Sequence, residues 1–318
     1  MTKNRTFLLN LGILTLFSFI IINSLVISFE GNKNVIEGYN SDNLDNLPSQ
    51  SSVISGKISI AGNSGWSTFK NLGNCTGEGT SADPYVIENL EIDGGFSGSC
   101  ILIQNSDVFF RIENCIVFNS DDFTGAGIKL VHVQNAILFG NNFTDNGYGI
   151  LLVSSNNNEI INNVVTHNWW GGMILENSHS NLIQRNNVDH NLARGMELKY
   201  SNYNQILGNS ISGHDQTGLY LYGSNYNMII GNIANLNFGV GSCLTESNYN
   251  LVMFNIALLN FNTVDFFDSG CINVNFLNVG NPYLFSYILS IIILFYFRRK
   301  RKNNQIISEN RRNMEKLQ

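Results

Sequence analysis

Gly195-Met196-Glu197-Leu198-Lys199-Tyr200-Ser201-Asn202-Tyr203-Asn204-Gln205-Ile206-Leu207-Gly208-Asn209 decides the fold, because the chain repeats its key places at a fixed interval. Moved on by 23 residues, the places hold Gly218, Leu221, Ser224, Asn227, Ile229 and Asn232, and then Gly241, Leu244, Ser247, Asn250, Val252 and Asn255. Moved back, they hold Gly172, Leu175, Ser178, Asn181, Ile183 and Asn186, and before those Gly149, Leu152, Ser155, Asn158, Ile160 and Asn163. A constant period of roughly 20–50 residues marks a solenoid, in which each unit buries its apolar side only against its neighbours.

Each copy opens Gly-aliphatic-x-Leu, with apolar residues two apart, which is the periodicity of a strand. The slot between them varies through Lys129, Leu151, Ile174, Glu197 and Tyr220, so it can face either water or cover. Leu130, Leu152, Leu175, Leu198, Leu221 and Leu244 do not vary, and stacked one per coil they form an internal column. Three short strands fit into 23 residues once turns are subtracted, and no copy holds a helix-length amphipathic stretch. Asn suits the corners, because it tolerates left-handed backbone and hydrogen-bonds locally. Stacked about 4.8 Å apart, Asn163, Asn186, Asn209, Asn232 and Asn255 can bond one another from coil to coil. The spacing predicts an all-β parallel β-helix of about 23 residues per coil.

The wording Gly-Ile-x-Leu-x-x-Ser-x-x-Asn-x-Ile-x-x-Asn resembles the repeat of the right-handed parallel β-helix superfamily, which includes pectate lyases and many microbial surface proteins. Within it, the pattern looks most like the periplasmic copper-binding family of nitrous oxide reductase maturation. Upstream, Gly62-Asn63-Ser64-Gly65-Trp66 and Asp83-Pro84-Tyr85-Val86-Ile87-Glu88-Asn89-Leu90 resemble the opening segment of archaeal surface β-helix proteins. The resemblance covers most of residues 53–278 and implies a right-handed coil. It implies fold more than function, since one scaffold carries lyases, hydrolases, adhesins and non-enzymatic binders.

Only 13% of the 318 residues are charged, and their signs are unevenly placed. Residues 30–281 hold 22 acidic against 8 basic side chains, a net of −14, which argues against nucleic acid. Neutral glycans, cations and cationic partners stay compatible. The five cysteines (Cys75, Cys100, Cys115, Cys243, Cys271) follow no metal-ligand spacing. A bridge among Cys75, Cys100 and Cys115 and simple burial of the thiols are both open.

Residues 1–29 carry Lys3 and Arg5 before an uncharged run, 7–22, and read as a signal peptide or signal anchor. Residues 30–52 are a polar linker. Residues 53–99 form the N-terminal cap and first strands, with a Gly-rich loop that lacks the Lys-Ser/Thr of a phosphate cradle. Trp66 there is either cap packing or a sugar platform. The repeats fill 100–281, the last coil being degenerate. Residues 282–297 read as a transmembrane helix and 298–318 as a cytoplasmic tail, because the apolar run 283–297 meets Arg298-Arg299-Lys300-Arg301-Lys302 at once. Fifteen residues span only about 22 Å, but the flanking aromatic residues and basic block support the reading. Both tails then lie inside and the β-helix outside.

Four sets of residues carry candidate chemistry. Asp145, His167 and His190 fall in one column, with His214 one position out of register; imidazoles and a carboxylate suit Cu²⁺ or Zn²⁺, and of the two the resemblance implies copper. Beside them Asn146, Asn168 and Asn191 make the setting polar and exposed. Glu176, Glu197 and Lys199, with Arg185 and Arg194 near, are what a polysaccharide lyase or glycosidase would use, with calcium as the lyase's cation. Dense Asp clusters of the pectate-lyase kind are missing. Trp169, Trp170 and the column Tyr203, Tyr226, Tyr249 suit an extended polysaccharide, and Asp121 and Asp122 lie in a loop, 119–124, lengthened over later coils. Asn74-Cys75-Thr76 and Asn142-Phe143-Thr144 are glycosylation sequons, Asn74 being the better placed. The whole reads as a membrane-anchored, cofactor-free extracytoplasmic β-helix that binds glycans or other cell-surface components. A carbohydrate-active enzyme and a metal-handling protein are the alternatives.

Overall fold

The computed structural model describes residues 53–121, 123–261, 266–269, 273–276 and 278. Each coil gives one short strand to sheet B and one to sheet C, and the coils up to Ser210–Ser212 give a third to sheet A, so that sheet A has seven parallel strands and sheets B and C nine each. One coil runs through Gly171–Glu176 in sheet B, Leu182–Gln184 in sheet C and Asn187–Asp189 in sheet A. Strands one coil apart pair in register, so equal places in the repeat become neighbours. Leu152, Leu175, Leu198, Leu221 and Leu244 pair in succession along sheet B. Ile160, Ile183, Ile206, Ile229 and Val252 do so in sheet C. Phe143, Val165, Val188 and Ile211 line the inside of sheet A. These columns are buried, and each Leu or Ile withdrawn from water contributes about 1.5–3 kcal/mol.

The corners are made by single residues in left-handed backbone. In one coil these are Ser154, Asn157, Asn162 and His167, with φ between 48° and 57°. Each is followed by a buried Ser or Asn: Ser155, Asn158, Asn163 and Asn168. Those four form four ladders along the axis. Asn163 Nδ2 donates to Asn186 Oδ1 at 3.0 Å, Asn186 to Asn209 at 3.0 Å, Asn209 to Asn232 at 2.9 Å and Asn232 to Asn255 at 2.9 Å. The same oxygens accept backbone N–H groups, as Asn209 Oδ1 does from Asn186. The column Asn146, Asn168, Asn191, expected to be exposed, is such a ladder and is buried. Its amides fill the corner backbone's unmet hydrogen bonds, which water would otherwise have to reach.

The Gly column marks where sheets A and B close most tightly. A Cβ on Gly172 would lie 2.5 Å from Gly195 O and 2.9 Å from Asn191 Nδ2, and against Val188 Cγ1. The cap departs from the expected all-β pattern. Gly62–Asn71 is an α-helix that lays Trp66 over the open end of the stack. Trp66 is fully buried, stacks on Tyr85 at 5.3 Å and donates its indole N–H to Ser106 Oγ at 3.0 Å. It is cap packing, and no sugar reaches it. Cys75, Cys100 and Cys115 are free thiols, and burial pushes Cys100 up to about 12 and Cys115 to about 11. At the other end, Phe266–Ser269 and Val274–Phe276 continue sheets B and C, and Asn278 receives Asn255 at 3.0 Å. Among the described residues no helix is long and apolar enough to cross a membrane. The runs 7–22 and 283–297, Asp122 and Cys271 lie outside the described residues.

Candidate functional site

Strands of sheet B run from a corner shared with sheet A to a corner shared with sheet C, and their outward side chains form a wall. Register places Lys129, Leu151, Ile174, Glu197, Tyr220 and Cys243 in one outward column. Val131, Val153, Glu176, Lys199, Tyr222 and Thr245 make a second. Towards the N-terminal end the wall is apolar, with Ala126, Leu151 and Ile174 packed under Tyr148 and Val153. Further along it turns polar. Arg194 Nη1 meets Glu197 Oε1 at 2.7 Å, and its guanidinium carbon lies 4.1 Å from the centre of the Tyr220 ring. Lys199 Nζ lies 3.6 Å from Glu176 Oε1. Such half-exposed pairs contribute little stability, about 0–1 kcal/mol each.

Glu176, Glu197 and Lys199 therefore share one surface, but each carboxylate faces its own cation. Arg185 is elsewhere, at a left-handed position between sheets C and A, with φ 54°. Two tyrosines on the wall escaped the sequence reading. Tyr148 opens the strand Tyr148–Val153, and its phenol is pushed up by burial and then by Glu176 and Glu197. Tyr200 packs edge-on against Tyr222 at 5.3 Å; the hydrogen bonds of Tyr222 to Tyr200 and Glu246 push its phenol up to about 12. Strict alternation would have placed Tyr148 inward with Ile150, two residues on, so the pattern gave no signal for it; the register skips Gly149.

Aromatic residues border the wall on both sides. Trp169 and Trp170 stand at the A–B corner, 54% and 48% exposed. At the B–C corner Tyr203, Tyr226 and Tyr249 occupy left-handed positions with φ 57–60°. Their rings stack in file at 5.1 and 5.0 Å, nearly parallel, so they cover one another's faces and turn edges and hydroxyls outward. Asp121 is tied into its own loop, its Oδ1 accepting Phe123 N–H at 2.6 Å and Thr124 N–H at 3.4 Å. Asn74 is exposed, whereas Asn142 sits in the strand Asn142–Thr144, its Oδ1 buried and unbonded among the described residues.

Asp145, His167 and His190 do occupy one column, all in left-handed backbone (φ 54°, 57° and 47°), where Asp, Asn and His are favoured for local reasons. The His167 and His190 rings stack at 6.1 Å with planes 12° apart. His167 Nδ1 bonds Thr166 Oγ1 at 2.8 Å, and His190 Nδ1 meets Asp189 Oδ2 at 2.9 Å. His214 does not join them. It is buried in the neighbouring ladder, where Asn191 and Asn237 flank it.

The sequence model of the family described as periplasmic copper-binding protein (NosD) matches residues 77–285. The chain belongs to the NosD family. Being a NosD-family chain makes it an extracytoplasmic right-handed parallel β-helix protein. Solved structures with the same fold include a mutant of the periplasmic alginate epimerase AlgG, 16% identical with a TM-score of 0.54 over 62% of this chain and 50% of that one. The chain is also similar to the mannuronan C-5 epimerase AlgE4 A-module of Azotobacter vinelandii, 15% identical, TM-score 0.48, over 62% and 70% of the two chains. The matched part of this NosD-family chain spans about half the length of the AlgG structure. At these identities the likeness shows the fold alone. Comparison with curated proteins gave no match.

Proposed function

We propose that the protein is a membrane-tethered, extracytoplasmic module that holds an extended cell-surface glycan across sheet B without cleaving it. One observation carries the reading: the outer wall of sheet B lies between Trp169–Trp170 at one corner and the Tyr203–Tyr226–Tyr249 file at the other, with paired charges between. Indole faces suit the apolar face of a sugar ring, and tyrosine edges and charged groups suit its hydroxyls. A flat wall of repeating rungs suits a polymer better than a small molecule. The pairing of Glu197 with Arg194 and Glu176 with Lys199 favours binding over hydrolysis, which wants one proton-bearing and one free carboxylate. The tether rests on the apolar run 283–297 and the basic block behind it.

Copper, from the family's description, has weaker support in these residues. Stacked parallel, the His167 and His190 rings send their in-plane lone pairs side by side, while an ion needs them to converge. Among the described residues no three His, Cys, Asp or Glu side chains come close enough to hold a metal. This donor set does not fit a single ion.

The test mixes the detergent-purified full chain with neutral and uronic polysaccharides, with and without Ca²⁺, scoring retention and released oligosaccharides by mass spectrometry. Retention without release is expected, and its loss in the double variant Trp169→Ala, Trp170→Ala. Released oligosaccharides would turn the reading to an enzyme, and no retention at all would end it.

A further inference from the structure

The A–B corner changes character towards the C-terminal end. Leu236, Phe238, Leu259 and Phe261 stand there 62%, 64%, 70% and 76% exposed, in the last two coils that are described through this corner. Phe238 and Phe261 stack on each other at 4.9 Å. Leu236 and Leu259 hold left-handed backbone, φ 57° and 58°, where the coil before them has Gly213. A leucine is a poor choice at such a place, strained in its backbone and unburied in its side chain, so stability does not account for it. Asp215 and Gln216 separate this edge from Trp169 and Trp170, so it is not an extension of the glycan-facing aromatic border.

We infer that Leu236, Phe238, Leu259 and Phe261 form an edge that docks into the outer surface of a lipid bilayer. The inference rests on the membrane tether proposed above. Counting one period on from Phe261 gives Leu284, the second residue of the apolar run 283–297, so in the sequence the run begins about one coil beyond the edge. From Asn278 to residue 283 the chain can reach at most roughly 18 Å, at about 3.3–3.6 Å per residue. The last coils are thereby held at the membrane. Exposed Leu and Phe tips at that level enter the zone between headgroups and acyl chains, where apolar side chains leave water while the backbone stays outside the hydrocarbon. Docking there would fix the direction of the sheet B wall relative to the membrane.

The experiment uses the full chain in phosphatidylcholine vesicles with brominated acyl chains, and compares Phe261→Trp and Phe238→Trp with Leu72→Trp. Leu72 is a control at the far, capped end, 72% exposed. Each is read as the change over the wild type, whose tryptophans are common to all. Co-flotation with the vesicles is scored first. Flotation with at least about twofold more quenching at 261 and 238 than at 72 is the expected result for groups at the headgroup–acyl boundary. Flotation with equal quenching would overturn the docking edge and leave the tether standing. Emission shifts that follow protein concentration, without quenching, would assign the edge to a second copy and overturn the inference. Absence of flotation would overturn tether and edge together.

Discussion

His214 Nδ1 accepts the backbone N–H of Asn191 at 3.1 Å, at the rung where the neighbouring coils place an Asn amide. Its Nε2 lies 3.1 Å from Val188 O, a carbonyl that can only accept, so Nε2 carries the hydrogen and the ring is neutral. Burial, with His190 adding to it, holds its pKa down at about 4.

Stability should therefore fall in mild acid. An unfolded His takes up its proton near pH 6.5, while the folded one resists to about pH 4, so the unfolded state binds more protons across that window. The contribution of the neutral ring is full above pH 6.5 and is lost as pH falls towards 4, by up to about 3 kcal/mol. His214→Asn, which restores an amide to the ladder, should flatten that part of the profile. Denaturant unfolding at several pH values checks it; an unchanged slope in the variant would refute the assignment.

Asn209→Ala should destabilise by about 2–5 kcal/mol, because it strands buried partners as well as removing bonds. Asn209 Oδ1 accepts from both the backbone and side-chain nitrogens of Asn186, and its Nδ2 donates to Ile183 O and Asn232 Oδ1. A variant within about 0.5 kcal/mol of wild type, the range of ordinary surface changes, would show that the ladder is incidental.

Gly172→Ala drives a methyl group into Gly195 O and Asn191 Nδ2 and should cost about 1–3 kcal/mol by overpacking. Gly56→Ala, with nothing within 4 Å of the added carbon, is the matched control and should be near neutral. Paired melting curves decide between a steric need for glycine and a mere preference.

Copper affinity of the full chain should not change when His167 and His190 are both replaced by Ala, since their rings do not converge. Isothermal titration checks this. A tenfold weakening, about 1.4 kcal/mol, would mean that the column rearranges to chelate.

What the sequence disclosed followed the strictness of its columns. Leu152, Leu175 and Leu198 never vary, and Asn163 to Asn255 keep one offset, so interior and ladder could be placed by counting. The ladder through Asn168 was misjudged because it stands between His167 and Trp169, two residues that belong outside. Left-handed corners were hidden for another reason: the hydrogen bonds of the coil impose that backbone on Ser154, Arg185, Tyr200 and Leu236 alike, overriding residue preference. The cap helix Gly62–Asn71 starts with glycine, has no acidic residue in its first turn and buries only Trp66, so no periodicity announced it. Contacts such as Arg194 on Tyr220 needed the register, which brings residues of adjacent strands together on the outer face.

Because every rung is joined only to the rung above and the rung below, and at the same places, the number of coils is free to change where the kind of coil is not. A duplicated or deleted block of 23 residues keeps the inward places of the repeat in register across the new seam. The span of the wall is thus counted out in whole coils, each adding about 4.8 Å.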